Sequence, residues 1–208
     1  MQHSGTKGMQ GAARRAQILQ CTRELIESSG FVGMSMGDVA RSAGVSKPLV
    51  YLHFASRDEL VLAVLAETHH RIIEALRAVE SDDDSAAELS LRTAIEAMFD
   101  IARDEPVAMR LVVGRAVGLT PELDAAARRM RSALVGEVID LLLPFARRSF
   151  PDVSRETVRP FAVAMMGAVE GSATWWANTP RASRKSSVDA TYIVLWTGLE
   201  RLASWDAS

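Results

Sequence analysis

The chain has 208 residues, 48% of them hydrophobic and 24% charged, with a net charge of −2. That balance suits a folded globular protein of one or two domains and excludes a chain disordered throughout. No apolar run approaches the ~18 residues of a membrane helix, and the richest stretch, Val138 to Ala146, is broken by Asp140 and Pro144. The N-terminus lacks the apolar centre of a secretory leader. Cys21 is the single cysteine, so no intrachain disulfide and no cysteine-based zinc site can form. The expectation is a soluble cytoplasmic protein without metal or cofactor. Residues 1–56 carry six basic groups against three acids, and the remainder carries 18 against 23. The sequence therefore splits into a basic module on an acidic body.

In chain order, residues 1–11 are aperiodic and read as a flexible arm. From Ala12 a helical stripe of Ile18, Leu19, Thr22, Leu25 and Ile26 runs to Ser28-Ser29-Gly30, and Phe31 packs back beneath it. Ser35 with Asp38 is a capping box opening a short helix to Ala43, and Gly44 breaks it. Ser46 caps a third helix that takes Pro48 in its first turn and runs to Phe54. Ser56-Arg57-Asp58-Glu59 caps a long helix in which Leu60, Val64, Thr68, Ile72 and Leu76 recur every four residues. Further helices are expected from Ser85 to Ala102, from Pro106 to near Gly118, from Thr120-Pro121 to about Arg148, from Ser154 to about Asn178, and from Val188 to about Trp205. About nine helices and no strand make the class all-α.

Residues 35–54 form a short helix, a tight Gly44 turn and a second short helix, with Val39, Ala40, Ala43, Val45, Val50 and Phe54 as a small shared core. This is a helix-turn-helix pattern, whose second helix enters a DNA major groove. The same spacing also fits a helix pair that serves only as scaffold.

From about Ala12 to Ile72 the sequence resembles the tetracycline-repressor (TetR) family of bacterial transcription regulators. The resemblance rests on Gly30-Phe31, Ser35-Met36-Gly37-Asp38-Val39-Ala40, Ala43-Gly44-Val45-Ser46-Lys47, Val50-Tyr51-Leu52-His53-Phe54 and Ser56-Arg57-Asp58-Glu59-Leu60. It implies a DNA-binding domain over 12–72, with the helix-turn-helix at 35–54 and a connecting helix from 57, and an effector-binding and dimerisation domain over 73–208. It places Lys47 and Pro48 at base edges, where lysine donates to guanine O6 and N7. Leu49 and Leu52 fall against thymine methyls or sugars, and Tyr51 and His53 against phosphates. Ser35 and Ser46 bring helix N-termini to the backbone. Pro48 and Leu49 depart from the family's commoner Gly or Thr there, which leaves base preference open.

Elsewhere the chemistry is sparse. His69-His70 are adjacent, about 100° apart on a helix, and so make a poor metal pair. Asp104, Glu105 and Glu170 show no spacing that points to a reaction, no glycine loop cradles phosphate, and Cys21 reads as a core thiol. Small residues Ala164, Gly167, Ala168, Gly171 and Ser172 lie beside Phe161, with Tyr192, Leu195, Trp196 and Leu199 on the last helix. Left exposed, this apolar surface would be an aggregation liability. The resemblance implies a four-helix bundle across a two-fold axis, giving a homodimer on a palindromic operator. It also implies a cavity for a small apolar effector, to which Met98, Phe99, Met109, Arg110, Met165, Met166, Glu170 and Trp175 are assigned, with Arg115 as a further polar contact. The reading is a ligand-responsive repressor acting on double-stranded operator DNA, with no membrane partner. The alternative is an all-α small-molecule-binding protein or enzyme in which the helix-turn-helix is scaffold.

Overall fold

The structure, a computed structural model, describes residues 4–78, 84–113 and 119–202. Among these there are nine helices and no strand: α1 (Ser4–Ser29), α2 (Met36–Ser42), α3 (Lys47–His53), α4 (Arg57–Arg77), α5 (Asp84–Asp104), α6 (Pro106–Val112), α7 (Pro121–Ser149), α8 (Arg155–Ala177) and α9 (Arg184–Leu202). The all-α reading holds.

Two helices start earlier than the hydrophobic pattern indicates. Residues 4–11, expected as an arm, are the first turns of α1. No proline interrupts this segment, and extending an existing helix adds a hydrogen bond for each residue fixed. Helix α9 begins at Arg184 rather than Val188. Ser183 stands before it and accepts from the Ser186 amide at 3.3 Å, an N-terminal cap within a wholly polar run. A break is also expected over residues 81–84; Asp84 is instead the first residue of α5, while residues 81–83, the expected end of the sixth helix near Gly118, Arg115, and the expected end of the last helix near Trp205 lie outside the described residues.

Helices α1–α3 pack as a small unit on the N-terminal part of α4, and α4 carries the chain into a larger group in which α7 and α8 pair, α5 lies against α8 and α9, and α6 touches α1, α4, α5, α7 and α8. One connected core joins the two parts, running from Ile18 through Leu60, Val64 and Ile72 to Phe99, Leu134 and Val188. Helix α6 is seven residues long and sits at the junction.

Candidate functional site

The N-terminal unit is fixed by contacts a few residues apart. Gly30, at φ +74°, closes α1 in the left-handed conformation that glycine adopts without a Cβ clash, and its amide donates to the Ile26 carbonyl at 3.0 Å. Ser35 and Asp38 form the full capping box: the Ser35 amide donates to Asp38 Oδ2 at 3.0 Å, and the Asp38 amide to Ser35 Oγ at 3.2 Å. Hydrogen bonds from Ser35, with help from Arg41, hold the Asp38 carboxyl below the usual range. At the turn Gly44 again has positive φ, +63°, and the Val45 amide reaches the Ala40 carbonyl at 3.0 Å. Gln17 of α1 donates to the Ala43 carbonyl at 3.0 Å, tying the first helix to the turn.

That scaffold presents α3. Val50 is fully buried and anchors the helix, a burial worth about 1.5–3 kcal/mol. Phe54 follows it into the core, with the Arg15 guanidinium 4.8 Å over its ring. Lys47, Pro48, Tyr51 and Leu52 consequently face solvent, Leu52 at 77% exposure and Tyr51 at 46%, while Leu49 and His53 are half-buried. Lys47 Nζ lies 5.9 Å from the centre of the Tyr51 ring, within cation–π reach. Seven residues of helix span roughly 10 Å, which fits a major groove about 12 Å wide. Ser35 and Ser46 are both exposed at helix starts, but they differ. Ser46 occupies the N-cap position of α3 without making the side-chain cap bond expected of it. Its backbone carbonyl serves the helix, accepting from the Leu49 amide at 3.0 Å, and its hydroxyl is left for other partners.

In the larger part, a cavity of about 60 Å³ lies among α4–α9. It is lined by Ile72, Leu91, Ile95, Leu134, Val138 and Val169 among others, and by four methionines, Met98, Met109, Met165 and Met166. Glu170 is the single polar side chain among the described lining residues. Burial pushes its carboxyl up, and the Arg131 guanidinium pulls partly back.

Three residues assigned to this cavity sit elsewhere. Phe99 is wholly buried, its ring tilted against Trp176 at 5.5 Å. Arg110 is exposed on α6. Trp175 points outward, at the rim of a surface groove between α8 and α9. An apolar helix turns a given residue inward or outward according to its rotation, which composition does not encode.

The outer face of α8 and α9 is apolar: Val163, Trp175, Ile193 and Val194 are 53–64% exposed, and Ala164, Gly167 and Gly171 lie exposed between them. Phe161 and Ala168 line the groove there. Tyr192, Leu195 and Leu199, assigned to the same surface, are buried within the subunit, and Trp196 is half-buried with its ring stacked on Tyr192 at 6.0 Å. Leu195 and Leu199 nonetheless line that groove beside Val194, and the exposed Ile193 and Val194 are positions the sequence reading missed.

The junction between the two parts is polar. Glu105, 4% exposed, stands between α5 and α6, accepts from Thr68 Oγ1 and Arg71 of α4, and pairs with Arg23 Nε of α1 at 3.3 Å. Beside it Glu27 of α1 caps α6 from outside, accepting from the Val107 and Ala108 amides at 2.8 and 3.0 Å. Burial raises the Glu27 carboxyl above its usual range, against those two backbone bonds. Spacing gave no sign of this cluster. The one local hint is an acidic residue directly before Pro106, at a helix start.

Residues 18–64 match the family model for bacterial regulatory proteins of the tetR family. The HTH-type transcriptional activator FasR of Mycolicibacterium smegmatis is 31% identical over 191 residues, covering 91% of this chain and 84% of FasR. The chain belongs to the TetR family. It is accordingly a DNA-binding transcriptional regulator, and its curated relatives are named as regulators of transcription. Two solved TetR-like folds superpose on it. The fatty acid degradation regulator FadR of Bacillus halodurans has TM-score 0.72 at 17% identity, over 89% of this chain and 96% of FadR. AibR, in complex with isovaleryl coenzyme A and operator DNA, has TM-score 0.66 at 17% identity, over 88% of this chain and 97% of AibR. No helix among the described residues is long and apolar enough to cross a membrane.

Proposed function

We propose that this TetR-family protein binds a palindromic operator as a homodimer through α3, and leaves it when a small, mainly apolar molecule opens the cavity among α4–α9. The observation that carries the DNA half is the outward set Lys47, Pro48, Tyr51 and Leu52 on a short helix anchored by Val50. Lys47 and Leu52 meet base edges, a donor for guanine and an apolar contact for thymine methyls. Tyr51, Ser35 and the uncommitted Ser46 hydroxyl hold phosphates, and His53 and Leu49 pack at the groove edge. A dimer with two such helices one DNA turn apart reads two half-sites. The outer α8–α9 face supports that dimer, because its bulky residues flank glycines that admit a facing helix.

The cavity is small beside the ~300–1,000 Å³ of most ligand sites. An effector therefore has to part the helices, and four flexible methionines lower the cost of doing so. Met109 of α6 and Val113 just beyond it line the cavity, while the other end of α6 is held by Glu27 of α1 and borders Glu105. A molecule that displaces α6 acts on the contacts that set α1 and α4. If the ligand favours the displaced arrangement, it favours release. Repression or activation then depends on where the operator lies relative to the promoter.

Fluorescence anisotropy on DNA from upstream of its own gene tests the reading. The expected result is tight binding to one palindrome and salt-sensitive, weak binding to scrambled duplex. Equal affinity for both would overturn it. Ile193→Arg with Val194→Glu should give a monomer in sedimentation and abolish palindrome selectivity.

A further inference from the structure

The cations of the N-terminal unit fall into two groups. Arg23, Arg41 and Arg57 are engaged within the fold: Arg23 pairs with Glu67 and Glu105, Arg41 with Asp38 at 3.0 Å, and Arg57 with Asp58 at 3.9 Å while donating to the Phe31 carbonyl. Arg14 and Arg15 of α1 are exposed, as Lys47 of α3 is, and meet no carboxylate among the described residues. The sequence offers none nearby, since no acidic residue precedes Glu24.

Both arginines are nonetheless held. Arg14 Nη1 donates to Gln17 Oε1 at 2.6 Å, and Gln17 in turn donates to the Ala43 carbonyl in the turn before α3. The Arg15 guanidinium lies over the ring of Phe54, the residue that closes α3. The pair is therefore tied to both ends of the helix that carries Lys47 and Tyr51. Their place along α1 matters as much. Glu27 and Arg23 fasten the other end of α1 to α6 and to Glu105. The helical rise puts Arg15 roughly 18 Å beyond Glu27 along the axis, toward α3 and away from α6.

We propose that Arg14 and Arg15 form a second DNA contact: when α3 lies in the major groove, they hold phosphates of the strand that borders it. The proposal rests on α3 being the helix that enters the groove, as argued above. A guanidinium presents a planar fork of N–H donors that matches phosphate oxygens. Held by Gln17 and Phe54, these two lose less freedom on binding than a loose side chain does. They contribute affinity and salt dependence rather than sequence preference, because the phosphates are alike along the duplex.

Salt titration of DNA affinity isolates this role, because each phosphate neutralised adds about 0.9 to the steepness of log K against log salt. Arg14→Gln with Arg15→Gln, in the full chain, removes two contacts from each subunit and should make the slope shallower by about 2–4 in a dimer. Binding should weaken at least tenfold at ~0.15 M salt, and to a similar degree on operator and scrambled duplex. Arg14→Lys with Arg15→Lys keeps the charges and should restore most of the slope. Should the glutamine pair fail to fold, Arg14→Gln alone leaves the Phe54 contact intact and should show about half the change in slope. A folded glutamine variant with the wild-type slope, while Lys47→Ala still weakens binding, overturns the arginine contact and leaves α3 in the groove. Loss of palindrome preference at an unchanged slope puts the arginines on bases and overturns the phosphate assignment. A Lys47→Ala variant with unaltered affinity and selectivity removes α3 from the groove, and this proposal falls with that reading.

Discussion

In the N-terminal unit the candidate side chains point outward from a scaffold whose supports lie three or four residues apart, whereas from α4 onward the cavity-lining candidates point inward and are brought together from six helices, α4 to α9. The first arrangement is nearly independent of the rest of the chain: Ser35–Asp38, Gly44 and Val50 place Tyr51 and Leu52 without help from α5–α9. The second exists only as a consequence of packing, because Ile72, Met98, Met109, Leu134 and Glu170 have no local relation to one another. A rigid reader and a deformable sensor need opposite construction. The polar junction at Glu105 is where the two meet.

Breaking that junction should give the largest effect. Glu105→Ala leaves Arg23, Arg71 and the Thr68 hydroxyl without their shared acceptor, and removing one partner of a buried pair costs about 3–5 kcal/mol. Urea unfolding should show that loss, while a cavity or α3 variant should not. Next comes the reading surface. Lys47→Ala should cost about 1–3 kcal/mol per half-site and relax preference at one symmetric base position. Tyr51→Phe should cost only about 0.5–1.5 kcal/mol, and equally on operator and scrambled duplex. A Lys47→Ala variant that loses affinity without losing selectivity would place the ammonium on phosphate.

The serines sharpen the contrast further. Ser35→Ala removes a real cap and should lower stability by roughly 0.5–2 kcal/mol in thermal unfolding. Ser46→Ala removes no cap bond, so it should leave the melting temperature unchanged and weaken DNA binding alone. The smallest effect concerns pH. Burial lowers the His69 pKa below the ordinary histidine value of about 6.5, against the pull of the Met130 carbonyl and Glu137 and in line with the repulsion of His70. The folded state therefore binds this proton less readily than the unfolded chain. Stability from this group is present above pH 6.5 and is lost as pH falls toward the lower folded value. His69→Gln should flatten that limb of a stability-against-pH curve, read by denaturant midpoints at several pH values.

The N-terminal unit was legible because its determinants are local. A cap signal, a glycine at a turn and an apolar residue every third or fourth position survive in one dimension, and Lys47 to His53 follow from them. The same reasoning misread Ser46, since occupying a cap position and making a cap bond look alike in sequence. It misread the starts of α1 and α9 because Ser4–Gly11 and Arg184–Ser187 carry no hydrophobic period. Of the residues assigned to an effector pocket, the methionines and Glu170 line one cavity, whereas Trp175, Phe99 and Arg110 do not. On α9 the buried Tyr192 and Leu195 and the exposed Ile193 and Val194 are consecutive, equally apolar residues. Only the neighbouring helices decide which of them turns inward.

The cap on α6 has a consequence for how the molecule comes apart. A seven-residue helix is marginal alone, and this one begins at a residue whose own side chain provides no cap. Its first amides are satisfied by Glu27, about eighty positions away in the chain. Opening α1 therefore frays α6, and fraying α6 loosens the wall at Met109. The reader and the sensor should exchange their amide protons as one cooperative unit at this seam rather than as two foldons. The Val107 and Ala108 amides then serve as built-in reporters: their exchange rates follow the docking of the first helix, a region neither of them belongs to.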